Sequence, residues 1–573
     1  MKINWVFGAY FCTHVIVIYC LTNDDYHANY QTMYIDVVPN RNSPPAILLR
    51  EARRQGKRIV KVTLANLSHL PPQRIDILRR ALKGELDELA FCKTPAALQQ
   101  GPSFGALFAA KTWCDRLGIT ASLGKNHYTP LVLLMIAARL LEPGSKLAAM
   151  RWAKTHAIKE IFGLEPDSFD ENHFYRALAW LADKQADIEQ KLFRRRYSSQ
   201  SAPELFLYDV TSSYLEGTDN ELADYGYNRD KKQGKKQIVI GLLTDISGSP
   251  VAVRVFEGNT GDTTTVPEQI SILTTQFGVQ RITLVGDKGM LRGPQIQKLT
   301  AVQFNYITAI SKSEIRAMLS GGLIQLSLFD ESITSVTDIT TGIRYVLRRN
   351  PERLRQVRAN RHDRLQKIKD YAVTLTDYLG DSSKRSVDVA LRLVIAKIER
   401  YNLGKIVAAK KDGRSIEVTI NNYALSQAEM LDGCYVIKSN LPANIITAAQ
   451  IHDRYKDLSK VEQAFRTMKT GLLEIRPLFL RRADHTRGHV FMVMLSYLLT
   501  REIEKSTANL EMTTAELMHD LDRICLQYQW LAEDVRISRL PKPTAAQTDI
   551  LQALEIDLPE ATCVPSTIRT TKP

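Results

Sequence analysis

The chain has 573 residues, too many for one hydrophobic core, so two to four domains are expected. Hydrophobic residues at 44% and charged residues at 24% exclude wholesale disorder and a polytopic membrane protein. Lys and Arg total 76 against 62 Asp and Glu, and the resulting +14 points to a polyanionic partner, nucleic acid first.

Seven scattered cysteines without a CxxC pair argue against a disulfide framework or zinc ribbon. They favour a reducing compartment, here the cytoplasm and its nucleoid. Residues 1–32 form an apolar leader. WVFGAYFCTHVIVIYCL (residues 5–21) has only Lys2 before it, His14 within it and no clear small-x-small cleavage site after it. A secretory signal, a marginal membrane span and a buried strand are all readable there. The preferred reading is that native translation starts at Met33, and no membrane association is expected.

Residues 33–204 are expected to form a mainly helical DNA-end-binding region. It opens with short strands, YIDVVP and RIVKVTLANL, and a helix at PPQRIDILRRALKGEL. Residues 103–196 are helical in pattern, and DSFDEN (residues 167–172) supplies N-cap chemistry. A basic helical segment suits a reader of DNA ends; a packing domain with a solvated basic face fits the same pattern.

The texture changes at Leu205. LFLYDVTSSYLEG reads as a strand, QIVIGLLTDISGSPVAVRVFEGN as two strands joined at Gly248, TTVPEQISILTTQF as a helix and RITLVGDKG as a further strand. The order β-β-β-α-β is that of a ribonuclease-H-like α/β core, a mixed five-stranded sheet with flanking helices. Residues 205–310 form its first part and 451–506 its second. Between them, 311–450 is expected to be a β-rich insertion with strands KIVAAKK, SIEVTINN and GCYVIKSN. Residues 341–370 carry ten Lys or Arg against three acids, half the net charge of the chain. Residues 507–573 are read as a helical segment and, beyond Arg539, a loosely ordered tail.

Asp209 and Asp287 each stand where an apolar strand gives out, on strands that this order makes adjacent and parallel. Their carboxylates can therefore meet at one sheet edge. A hard cation needs further oxygen ligands, and Glu462 is the candidate. Tyr455, Glu462 and Lys469 are spaced seven and seven, which places them on one face of a helix. Val461, Ala464, Met468 and Leu472 form a neighbouring apolar face.

Together these segments resemble the DDE transposases of bacterial insertion sequences, in the branch marked Tyr-x2-Arg-x3-Glu-x6-Lys. YDVTSSYLEG is similar to that family's first-Asp strand, LVGDKGM to its second-Asp motif and YKDLSKVEQAFRTMK to its third. FEGNTGD and HTRGHVFMVMLSYLL are also similar to family segments. The signature Arg falls on Leu458, with Arg454 and Arg466 near enough to take its place. The resemblance implies Asp209, Asp287 and Glu462 holding two Mg²⁺ ions, with Mn²⁺ able to substitute. One ion would activate a water or the freed 3′-hydroxyl and the other would stabilise the leaving oxygen. It further implies Tyr455 and Lys469 fixing the phosphate at the cut end. The implied partner is double-stranded DNA, the terminal inverted repeats of the protein's own element, bound by a homodimer. Arg355, Arg358 and Arg361 in the basic stretch are candidate phosphate contacts.

No G-x4-G-K-[ST], H-E-x-x-H or G-x-S-x-G motif occurs. His485 and His489, four apart, could chelate zinc, but capping or phosphate contact is preferred because no third ligand is evident. RDKKQGKKQ (residues 229–237) fits a solvated hairpin tip and a phosphate-touching loop equally. Two other classes stay open, a non-catalytic transposase-derived DNA-binding protein and a recombinase or nuclease of another mechanism.

Overall fold

The computed structural model describes residues 32–40, 44–55, 58–83, 98–198, 203–217, 219–230, 232–469, 473–475, 478–532 and 535–559. The expectation about residues 1–31 lies outside them. The chain divides into two compact units, one of Met1–Gln99, Gln529–Ile537 and Cys563–Pro573, the other of Gln100–Tyr528 and Ser538–Thr562.

The first unit is a three-stranded antiparallel meander, β1 (Thr32–Val38), β2 (Ala46–Gln55) and β3 (Arg58–Asn66), followed by the helix Pro72–Leu82. The strand β2 was not anticipated, because AILLREARRQ has the composition of a helix. The strands expected at YIDVVP and RIVKVTLANL are β1 and β3, and β2 pairs between them.

The second unit begins within β4 (Gln99–Ser103), which is followed by helices running to Arg196. Asp170 caps the helix Glu171–Asp183, its carboxylate accepting the His173 backbone N–H at 3.0 Å. These helices share one apolar core with the later helix Ala483–Ser506 and the main sheet, so they belong to one body with the sheet.

The sheet comprises β5 (Leu205–Tyr214), β6 (Gln237–Asp245), β7 (Pro250–Phe256), β8 (Thr283–Gly286) and β9 (Asn305–Ala309), extended by β10 (Thr334–Thr337), β11 (Arg344–Arg349) and β14 (Cys434–Ser439). The spatial order is β10-β11-β14-β9-β8-β5-β6-β7. β5, β6 and β7 are antiparallel neighbours, and β8 and β9 run parallel to β5. The sheet thus has eight strands among the described residues where five were expected, because the insertion adds three to its β9 edge. Gly248, at φ +84°, closes the β6–β7 turn, and a Cβ there would lie 2.8 Å from Lys460 Cβ.

Side-chain alternation sorts the sheet into two faces. Leu207, Ile240, Leu242, Val285 and Ile307 pack towards the helices Leu458–Lys469 and Ala483–Ser506. Phe206, Tyr208, Val239, Leu243 and Leu284 pack with Val266, Ile270 and Leu299 on the opposite side. The result is a mixed α/β sandwich, apolar on both sides of the sheet, which is why its strands read as nearly continuous apolar runs.

The insertion is not β-rich. Its longest elements are the helices Pro351–Gly380, of 30 residues, and Val387–Arg400, which share a small core with the hairpin β12 (Val407–Asp412) and β13 (Ser415–Ile420). The last segment is also more ordered than expected. Ala545–Ala553 is a helix capped by Thr544, with Ile550 and Leu551 buried.

Candidate active site

Asp209 sits in the middle of β5, not at its end, opposite Leu242 of β6. The parallel partner β8 pairs with β5 only as far as Tyr208↔Gly286, so Asp287 is the first residue beyond it. The opening beside Asp209 is therefore made by the shorter strand. Parity places Asp209 with Leu207 and Asp287 with Val285, on the face that receives the helix Leu458–Lys469.

That helix is held down by Val461, Ala464, Phe465 and Met468, all buried. Full burial of such side chains contributes roughly 1.5–3 kcal/mol each for the larger ones. The expected single helix is interrupted at Asp457 into Ala448–Lys456 and Leu458–Lys469. Tyr455, Glu462 and Lys469 nevertheless line the same cleft of about 740 Å³ as Asp209, Asp287 and Arg466. Leu458, in the place of the signature Arg, is buried in the core beside it.

Burial pushes the Asp209 carboxyl up to about 7, with further contributions from the negative charges of Asp287 and Glu462. The Tyr455 hydroxyl donates to Asp287 Oδ1 at 3.2 Å, and burial first, then the charge of Asp287, raises its pKa. Lys469 Nζ donates to Thr211 Oγ1 at 2.9 Å and to Asp230 Oδ1 at 2.7 Å. Arg229 pairs with Asp262 at the rim. The cleft therefore holds four aspartates and a glutamate together with Lys469, Arg229 and Arg466.

Among the described residues no three His, Cys, Asp or Glu side chains are grouped closely enough to hold a metal ion as they stand. The donor chemistry still suits a hard divalent cation. Asp209, Asp287 and Glu462 offer only carboxylate oxygens, and burial, with the charges of Asp287 and Glu462 added, disfavours the ionised Asp209 in a way that a cation would relieve.

The other candidates are dispersed. Arg454 faces Asp457 at 3.6 Å. Arg355 and Arg358 are exposed on the helix Pro351–Gly380. Arg361, on the same helix, is committed to a bidentate pair with the fully buried Asp432, both contacts at 2.7 Å. His485 stacks on Tyr175, and His489 is buried 3.4 Å from Lys146 Nζ, so the two do not form a zinc site. Sequence reasoning missed Asp230, Asp262 and Thr211 as cleft residues. Asp262 ends FEGNTGD and Asp230 lies in RDKKQGKKQ, so both stretches had been noticed without these acids being singled out.

A cleft of carboxylates at the edge of a mixed sheet, faced by a lysine and an arginine, defines a candidate phosphoryl-transfer enzyme. The family model for the transposase DDE domain matches residues 200–499, more than half of the chain, and the protein belongs to that family. It is a DDE transposase, a polynucleotidyl transferase and endonuclease acting on DNA, of a family that uses divalent metal ions. Among solved structures, the cryo-EM structure of the piggyBac transposase synaptic complex with hairpin DNA is similar at 9% identity, covering 74% of this chain and 82% of that chain with a TM-score of 0.36. No curated protein matches. No helix among the described residues is long and apolar enough to cross a membrane.

Proposed function

We propose that this transposase cuts and rejoins the ends of its own bacterial insertion sequence, as a member of the Tyr-Arg-Glu-Lys branch with a ribonuclease-H-like core. The strand order β7-β6-β5-β8-β9, with three antiparallel strands followed by two parallel to β5, supports that core. Residues 205–310 and 451–506 are its two halves, the insertion 311–450 extends it, and the region before Leu205 reads the DNA end. The observation that carries the reading is the convergence of Asp209, Asp287 and Glu462 on one cleft, with the Asp209 carboxyl raised by burial first and by the other two charges in addition.

Asp209 and Asp287 would hold Mg²⁺ from the sheet and Glu462 from the helix. A metal held there would supply Lewis acidity to the attacking hydroxyl and to the charge on the leaving oxygen. Tyr455 orients the Asp287 carboxylate through its hydroxyl. Lys469, held by Asp230 and Thr211, places a positive charge in the cleft where a phosphate of the cut end would sit. Arg466, exposed at the same cleft, can take the task of the Arg missing at Leu458. The partner would be double-stranded DNA bearing terminal inverted repeats, engaged by a homodimer in the cytoplasm. Asp209→Ala, Asp287→Ala and Glu462→Gln should each abolish metal-dependent cleavage of an element end while retaining DNA binding. Near-normal cleavage by any of them would remove that residue from the site.

A further inference from the structure

The loop of residues 222–237, which joins β5 to β6, reaches the cleft through Arg229 and Asp230. Its base is pinned. Asp224 and Gln237 exchange backbone hydrogen bonds at 3.1 and 3.0 Å, and the buried Gln237 amide donates to Gly258 O at 2.9 Å and Tyr227 O at 3.2 Å. Gly226 passes so close to Gly258 that a Cβ would lie 2.2 Å from its carbonyl oxygen. The Arg229 backbone N–H donates to Ser212 Oγ at 3.0 Å.

On this fixed base the loop displays two tyrosines, Tyr225 at 62% and Tyr227 at 82% exposure. Cations accompany the aromatic rings here. Arg229 lies 5.6 Å from the Tyr227 centroid, Lys236 5.9 Å from that of Tyr225 and Lys232 5.5 Å from that of Tyr214. Residues 225–236 contain five Lys or Arg and one acid, and that acid, Asp230, is the buried partner of Lys469. Arg229 pairs with Asp262 and Lys235 with Glu216, so Lys232 and Lys236 carry the positive charge offered outward. A single exposed tyrosine needs no explanation. Two exposed tyrosines interleaved with cations, on a loop that also lines the cleft, form the combination that binds unpaired nucleic acid: flat rings for bases and cations for phosphates.

We propose that this loop is a platform for unpaired nucleotides of a DNA strand entering the cleft. Tyr225 and Tyr227 stack on bases, and Lys232 and Lys236 meet the phosphates between them. Inside a duplex the rings find no base face, because each interior base is covered by its neighbours; there only the cations make contact. The proposal rests on the reading of the cleft as the reaction site.

The test compares the full-length protein on two probes, a blunt 20-bp duplex and the same duplex with a 5-nucleotide single-stranded tail carrying 2-aminopurine, without divalent metal. Stacking on an aromatic side chain strengthens binding by about 5- to 150-fold per base. Tyr225→Ala/Tyr227→Ala should weaken the tailed probe by about tenfold or more, leave the blunt probe within about twofold, and abolish the tail's fluorescence change. Tyr225→Phe/Tyr227→Phe keeps the rings and should bind like wild type. Lys232→Gln/Lys236→Gln should weaken both probes and flatten the salt dependence. Equal loss on both probes, or unchanged binding of the tailed probe by the alanine variant, would overturn the proposal. No cleavage is involved, so its failure is distinct from failure of the cleft reading, which appears as cleavage by Asp209→Ala.

Discussion

The Lys469–Asp230 pair offers a way to separate what the cleft needs for folding from what it needs for chemistry. Its N···O distance is 2.7 Å, and the two side chains are 10% and 4% exposed, so both charges have left water. In such a pair desolvation offsets most of the Coulombic gain, and removing one partner leaves an uncompensated buried charge at a cost of about 3–5 kcal/mol. Replacing both partners with apolar groups is instead neutral or stabilising, by about 1–4 kcal/mol where packing is good. Asp230→Leu and Lys469→Met alone should therefore each lower the urea midpoint by the equivalent of about 3–5 kcal/mol. The double variant Asp230→Leu/Lys469→Met should return close to wild type. Cleavage of an element end should behave differently. It should be lost in Lys469→Met and stay lost in the double variant, because the restored fold still lacks the charge for the phosphate. If the single effects simply add in the double variant, the pair is not coupled. If the double variant cleaves normally, Lys469 has no part in the reaction.

Two further outcomes follow from the charges. The Asp209 carboxyl, pushed by burial to about 7 in the fold from its ordinary 3.8, disfavours the folded state once ionised. The penalty is absent below the unfolded pKa, grows between pH 4 and 7, and is full above 7 at about 4 kcal/mol, from roughly 1.4 kcal/mol per pH unit. In chelator-treated protein Asp209→Asn should thus match wild type near pH 4 and melt about 4 °C higher at pH 8. A difference that does not change with pH would refute this. On the insertion, neutralising the exposed Arg355 and Arg358 should flatten the slope of log K against log salt by up to about 1.8 if both touch phosphate. Arg361→Gln should leave the slope alone and destabilise by up to about 3–5 kcal/mol, because the buried Asp432 loses its bidentate partner and keeps only the longer contact with Lys312 at 3.8 Å. Slopes and urea midpoints of the two sets of variants check both statements, and an unchanged slope moves the DNA surface off this helix.

What the sequence disclosed follows from where each element sits. β5 to β8 were legible because both faces of the sheet are covered, which turns a strand into an apolar run. The insertion was misjudged for the opposite reason. Of the 30 residues in Pro351–Gly380 only Ile368, Ala372 and Leu379 are buried, so the helix has almost no apolar stripe and reads as charge. The flanking strands β10 and β11 contribute only four and six residues each, and they join the main sheet through β14, far along the chain, a pairing that no local pattern encodes.

The site shows the same division between local and long-range information. Asp209, Asp287 and Glu462 could be proposed because each belongs to a short motif whose neighbours fix its element and its face. Their seven-residue spacing carries Tyr455, Glu462 and Lys469 across the break at Asp457 and still brings them to one cleft, since the interruption is a single residue that keeps helical φ and ψ. The partners of the basic residues are a different matter. Asp230 lies 239 positions from Lys469, and Asp432 lies 71 from Arg361. In RDKKQGKKQ the lone acid reads as diluted by its lysines, yet the fold buries that acid against Lys469 and leaves Lys232 exposed. A count of charge along the chain therefore overstates the DNA-facing charge at Arg361, while at residues 225–236 the fold consumes Asp230, Arg229 and Lys235 in ion pairs and leaves Lys232 and Lys236 to face outward. The two basic segments differ in which of their charges the fold consumes. That difference makes the cleft-side loop, with its exposed tyrosines, the stronger candidate for DNA contact near the reacting phosphate, and leaves Arg355 and Arg358 as the candidates for contact along the insertion.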